Sequence, residues 1–386
     1  MPNEVIYLDH AAATPVDRRV LEAMLPYYSE QFYNPSSPYA PAIAVRNDYE
    51  HAKAVIAQSI GAKADELIMT AGATESINLA FGGVSGHIVT CSIEHHAVLQ
   101  AAKRREHTIV GVDERGSVSV ASIADAITPK TELVSIALAN NELGTIQQLR
   151  TIADVVRQER ERRLSVGEVT PIYLHSDASQ GVGQLDVQVA RLGVDMLTVN
   201  AGKVYGPKQV ALLWAARSVS ISAAIVGGGQ ERGLRSGTEN VAGVIGFAKA
   251  VELAVKYRKG EADRLDVLRN SLQRQLLKAF PEAIVSGNQK RRLPGHLHIS
   301  FDGIDAERLV FRLESRGVLV ATGSACAANK GTRSHVLTAI GLADSVADGS
   351  LRLTLGKLST EENTHTAAAI IIEEITQEYA RMEKIS

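Results

Sequence analysis

Residues 171–214 read PIYLHSDASQGVGQLDVQVARLGVDMLTVNAGKVYGPKQVALLW, three short apolar runs separated by polar, glycine-containing turns. PIYLHSDAS and VDMLTVNAG predict strands, and so does VALLWAA at 210–216. Two of the three end in residues that carry chemistry, Asp177 in one case and Asn200 through Lys203 in the other. The same alternation runs upstream. DELIMTAG, GHIVTCS and TELVSIALAN predict strands, with helices in AVRNDYEHAKAVIAQSIGA, GATESINLAFGGV, EHHAVLQAAKRRE and IQQLRTIADVVRQERER between and around them. Gly61 is placed to end the first of these helices. Strands and helices taking turns imply right-handed crossovers and a mostly parallel sheet. Such sheets bind ligands where the strand ends turn into polar loops.

The remainder reads differently. RKGEADRLDVLRNSLQRQLLKAF, 258–280, predicts a long charged amphipathic helix suited to connect domains. HLHISFDG, GVLVATG and SLRLTLG predict strands, and DAERLVFRLESRG and TAAAIIIEEITQEYARMEK predict helices. Few strands with helices on one side imply a small α+β domain. The expected organisation is a large domain over 15–255 and a small one built from 1–14 and 256–386. RQERERRLSVGEVTP, 157–171, is expected to be a solvated charged loop.

Composition narrows the function class. The chain has 386 residues, net charge −2 and two cysteines. No basic field favours nucleic acid, and two distant cysteines favour neither a disulfide framework nor structural zinc. The beginning, MPNEVIYLDHAAATPV, has no apolar secretion core, and no apolar run reaches the ~18 residues of a membrane span. A cytoplasmic setting, with no direct nucleic-acid or membrane partner, is the expectation.

Four elements carry chemistry. Lys203 follows a strand and a small-residue turn, where weak hydration favours the neutral amine that a Schiff-base lysine needs; the alternative is a surface lysine at a turn. Asp177 ends an apolar strand, where it can meet a pyridinium nitrogen or merely cap a helix. Gln180 lies three residues on, within reach of a phenolic oxygen on the same ring. TAGATESINLA places free backbone N–H groups at a helix start beside Thr74, a phosphate cradle without a lysine. His95 follows a strand, where an imidazole can stack on a flat ring and move protons, or be ordinary polar surface.

Phosphate turn, stacking histidine, Asp-x-x-Gln and lysine each serve a different face of one cofactor. In this order, with YLDHAAATPV, NPSS, GATES, EHHAV, NNELGTIQ, HSDASQGVG, GKVYGPK, GGGQERGLRSGTEN, GSAC and LRLTLGK, the chain resembles the cysteine desulfurases over nearly its whole length. These belong to the class V aminotransferases, fold-type I pyridoxal phosphate enzymes with a mostly parallel seven-stranded sheet in the large domain.

The resemblance implies pyridoxal 5′-phosphate held covalently by Lys203. Asp177 would meet its ring nitrogen and Gln180 its ring oxygen, while His95 stacks on the ring and acts as acid and base. Ala73, Thr74 and Asn200 would bind phosphate, Asn141 would approach ring and substrate, and Arg352 with Asn34 would hold the substrate carboxylate. Thr238, in RSGT, would reach the phosphate of a neighbouring subunit, implying a homodimer. Cys326, in ATGSACAANKG, would take sulfur from L-cysteine as a persulfide, leaving L-alanine. It would pass that sulfur to an acceptor protein, an iron–sulfur scaffold or a tRNA-thiolation enzyme. No resident metal is implied, although Cys326 could ligate an iron–sulfur cluster transiently.

The chain departs from the resemblance where the family commonly has Ser-Gly-His-Lys: here the residues are Asn200-Ala201-Gly202-Lys203. The missing side chain at Gly202 implies weaker cofactor retention. The chain also stops soon after EYARMEKIS, where relatives that serve an iron–sulfur scaffold often have a longer tail, which leaves the acceptor open. Two other readings remain: a selenocysteine lyase or another class V enzyme, and a scaffold that kept the fold without the cofactor.

Overall fold

A computed structural model describes residues 5–323 and 333–383. Among the described residues twelve strands appear in chain order: β1 Ile6–Tyr7, β2 Leu67–Thr70, β3 His87–Cys91, β4 His107–Val110, β5 Thr131–Ser135, β6 Tyr173–Asp177, β7 Met196–Asn200, β8 Ala211–Ala215, β9 Ile284–Ser286, β10 His296–Ser300, β11 Val318–Leu319 and β12 Ser350–Thr354. Seven form one sheet in the order β2-β8-β7-β6-β5-β3-β4. It is parallel except at β8, which runs antiparallel to both its neighbours. The expected mostly parallel seven-stranded sheet is therefore present, in a fold-type I architecture.

The strands read as continuous apolar runs because both faces of the sheet are covered. Alternate side chains serve opposite faces. Val89, Leu197, Leu212 and Trp214 join one core with the helix Ala40–Ile60 and the front of the helix Val241–Ala279. Ile88, Met196, Leu213 and Ala215 join another, under the helices Ala73–Gly82 and His96–Ala102. Gly61 ends the helix Ala40–Ile60 as expected, in the left-handed conformation at φ 71°.

A third core gathers Ile6 and Leu8 with Leu265, Leu272, Leu297, Leu309, Leu351 and Ile371. It covers the three-stranded antiparallel sheet β12-β10-β9 and the parallel pair β1-β11. The helix Val241–Ala279 thus serves two cores, one with each half. The stretch GVLVATG gives only the two strand residues of β11.

The charged loop expected at 157–171 is corrected in part, because helix continues through Ser165. Arg163 inside it is 2% exposed. Its guanidinium donates to the carbonyls of Thr131, Thr170 and Thr128 at 2.9–3.0 Å and to Glu159 Oε1 at 2.7 Å. Its fixed fork of donors satisfies the chain ends around β5, so a residue that reads as solvated works as an internal clamp. Among the described residues, no helix is long and apolar enough to cross a membrane.

Candidate active site

A cavity of about 810 Å³ opens at one edge of the large sheet. Ala73, Thr74, His95, Asn141, Asp177, Gln180, Asn200, Lys203 and Arg352 all line it. Topology explains the convergence. Strands β2, β3, β5, β6 and β7 point the same way, so the turns after Thr70, Cys91, Ser135, Asp177 and Asn200 all emerge at that edge.

The turn after β2 opens the helix Ala73–Gly82, whose N-cap is Gly72 with no side-chain cap. Its first N–H groups lack helical partners and sit at the positive end of the helix. A Cβ added at Gly72 would meet nothing within 4 Å, so the cradle is open. Glu75 braces it, accepting from Ala71 N–H at 2.8 Å and from Arg235 Nε at 2.9 Å.

Lys203 ends a short 3-10 turn, Ala201–Lys203, that Asn200 caps by accepting from Gly202 N–H at 2.9 Å. The lysine's surroundings are more polar than its sequence suggests. Nζ donates to the carbonyls of Ala11 at 2.7 Å and Ala12 at 2.6 Å. Gln180 Nε2 donates to the same Ala11 carbonyl at 3.1 Å. The HAAAT turn is thus a wall of the site, a role its sequence did not announce because backbone carbonyls carry it. Asp177 Oδ1 accepts from Ser179 N–H at 2.9 Å. Behind Asp177, buried His175 bonds Ser135 and Thr198, and burial pushes its pKa down to about 4.

His95 caps the helix His96–Ala102 through Nδ1, which accepts from Ala97 N–H at 3.1 Å. That bond assigns the proton of the neutral ring to Nε2. The surrounding walls lower the His95 pKa, and Asp177 opposes them. Beneath it lies Glu94, a residue the sequence did not single out. Its Oε1 accepts from Ala137 N–H at 2.8 Å and from Cys91 Sγ at 3.2 Å. Burial raises the Glu94 pKa to about 7.

Arg352, on β12, is 3% exposed and pairs with Asp9 at 2.6 Å. Its Nη1 lies 3.4 Å from the Gly323 carbonyl. Glu142, from NNELG, accepts from Ser334 Oγ at 2.6 Å, and His335 donates toward the Glu94 carbonyl at 3.0 Å. Gly323 and Ser334 flank the segment 324–332, and Cys326 lies outside the described residues.

Two residues expected at the site are not among those lining the cavity. Asn34 is exposed, with its side chain accepting from Ser36 N–H at 2.9 Å, and Thr238 is exposed on the loop after Ser236. Both were assigned by motif, which fixes a position in the chain but not a place on one subunit's surface.

Comparisons with known proteins give the family and the fold. The aminotransferase class-V family model matches residues 6–365. A curated relative, cysteine desulfurase IscS of Clostridium botulinum, is 40% identical over 94% of this chain and 92% of its own. A NifS-like protein of known structure superposes with a TM-score of 0.88 at 34% identity, covering 96% of this chain and 99% of that one. A structure described as SspA in complex with cysteine superposes at 0.77 with 33% identity, covering 91% and 99%. The cavity's lysine, aspartate, glutamine and histidine stand at or after strand ends of the large sheet and Arg352 reaches the cavity from within β12, and the family match over residues 6–365 with relatives aligned along nearly the whole chain makes it a member of the aminotransferase class-V family and, within it, of the cysteine desulfurases.

Proposed function

We propose that the chain takes sulfur from L-cysteine, leaves L-alanine, and carries the sulfur as a persulfide on Cys326. The observation that supports this reading is the meeting of Lys203, Asp177, Gln180, His95 and Arg352 in one cavity. Pyridoxal phosphate is the cofactor of this family, and the residues present fit it. The uncapped helix start at Ala73 and Thr74 suits a phosphate, Asp177 a protonated ring nitrogen, and Lys203 a covalent bond. When bound, it supplies an electron sink for the substrate's Cα and Cβ.

The chain's own groups do the rest. Arg352 binds the substrate carboxylate through charge-assisted bonds, displacing contacts it now makes with Asp9 and Gly323. Neutral His95 offers Nε2–H to the cavity while Nδ1 holds Ala97. Asp177 keeps its carboxylate fixed through Ser179 N–H. Lys203 Nζ holds and returns the proton exchanged at the substrate's α-carbon. The Cys326 thiolate bonds to the substrate sulfur as the carbon–sulfur bond breaks; the carbon keeps the electron pair and takes up a proton, giving alanine.

The reading extends to a cytoplasmic homodimer, in which Thr238 serves the partner's site. Exposed Tyr28, Phe32, Tyr39, Ile225 and Val226, near Asn34 and Thr238 in the chain, support such an interface. It extends also to a protein acceptor, in iron–sulfur assembly or tRNA thiolation. The test is alanine and sulfide formation from L-cysteine with a reductant. Wild type should turn over, and Lys203→Ala and Cys326→Ala should not. Desulfuration that survives Cys326→Ala would overturn the persulfide step.

A further inference from the structure

A second group of cations stands apart from the cavity, between the helix Val241–Ala279 and the turn that follows Asn141. Arg269 and Gln273 lie one turn apart on the same helix face. Gln273 Oε1 accepts from Arg292 Nη2 at 2.9 Å, which brings the second guanidinium against that face. Arg292 bridges Thr145 on the turn. The two arginines are only 4% and 8% exposed. Arg269 donates to Asn270 Oδ1 at 3.0 Å and to Asp266. Arg269 Nη1, Arg292 Nε and Arg292 Nη1 are buried and have no acceptor among the described residues. Neighbouring His296 has no partner for either ring nitrogen among the described residues.

Two like charges share one carboxylate here. Burial and Arg269 together pull the Arg292 pKa down to about 10. Burial and the surrounding arginines push His296 to about 3, so it adds no charge. Buried donors need acceptors, and buried charge needs countercharge. A small oxyanion supplies both at once, and a guanidinium fork matches its oxygens.

We propose that Arg269 and Arg292 together hold a small oxyanion, whether phosphate, sulfate or a free carboxylate, at a site separate from the Lys203 cavity. It fastens the helix Val241–Ala279 to the turn that carries Asn141. Asp266, whose side chain is half exposed, marks the side facing solvent.

The test uses protein loaded with cofactor, so that the cradle at Ala73 and Thr74 is filled. Equilibrium dialysis against radiolabelled sulfate at low ionic strength should find about one saturable site per chain, weakened roughly tenfold or more in Arg292→Gln and Arg269→Gln. Competition by phosphate and by acetate ranks the three sources. Arg292→Lys keeps the charge and should bind more weakly than wild type while folding normally, which covers a neutral variant that fails to fold. The proposal is overturned by absent saturable binding in wild type, by binding unchanged in folded Arg292 and Arg269 variants, or by binding that is lost in Arg352→Gln alone.

Discussion

Restoring a histidine at position 202 should tighten cofactor binding. Gly202 is buried, and its φ is not in the left-handed region. A Cβ built there would meet Asn200 Oδ1 at 3.4 Å and Lys208 Cγ at 3.8 Å, ordinary contacts. The backbone bonds at this residue, from Thr14 Oγ1 to its carbonyl at 3.1 Å and from its N–H to Asn200, need no change. A Cβ at this position therefore enters without strain, the cavity that Gly202 lines is where the ring of Gly202→His would extend, and loss of a glycine from the unfolded chain adds about 0.4–1 kcal/mol of stability. One hydrogen bond to a phosphate dianion contributes about 1.5–3 kcal/mol. Less the entropy of fixing the side chain, about 1 kcal/mol, this leaves roughly 0.5–2 kcal/mol, a twofold to thirtyfold lower dissociation constant. Titration of the cofactor-free protein with pyridoxal phosphate, followed by absorbance, measures it. An unchanged or weakened affinity in a folded variant would refute the reasoning, and would mean that Asn200 and the helix start already saturate the phosphate.

Three further outcomes are expected. Arg352→Gln should lower kcat/KM for L-cysteine by about two to three orders of magnitude, since two charge-assisted bonds of about 1.5–3 kcal/mol each are lost in part; steady-state kinetics measures it. Glu94 has a folded pKa raised from 4.5 to about 7, so the folded state holds this proton more tightly than the unfolded one. Its contribution is fully present below pH 4.5 and is lost as pH rises toward 7; Glu94→Gln, always neutral, should gain about 3 kcal/mol on wild type between pH 4.5 and 7.5 in urea unfolding. Arg163→Met should cost about 2–4 kcal/mol in the same assay, because it strands the carbonyls of Thr128, Thr131 and Thr170, whereas a solvated arginine would cost almost nothing.

The sequence alone determined the alternation of strands and helices, and with it the parallel sheet. Runs such as MLTV are apolar without alternation only when both sheet faces are covered. It also brought Lys203, Asp177, Gln180 and His95 to one cavity, because each stands at or after a strand end, and strand ends of parallel strands meet. Tertiary structure decided what contacts distant in the chain must decide. Asp9 meets Arg352 across 343 positions, and the carbonyls of Ala11 and Ala12 meet Lys203 across more than 190. No local pattern marks a backbone carbonyl as a ligand. The charged stretch around Arg163 misled for the same reason: composition reports that a residue can be solvated, and only packing shows that its donors are spent on carbonyls inside. The pairing of Arg269 with Arg292 belongs to that class as well, since each arginine alone resembles surface and the two become a charged, buried site only where the helix Val241–Ala279 crosses the turn.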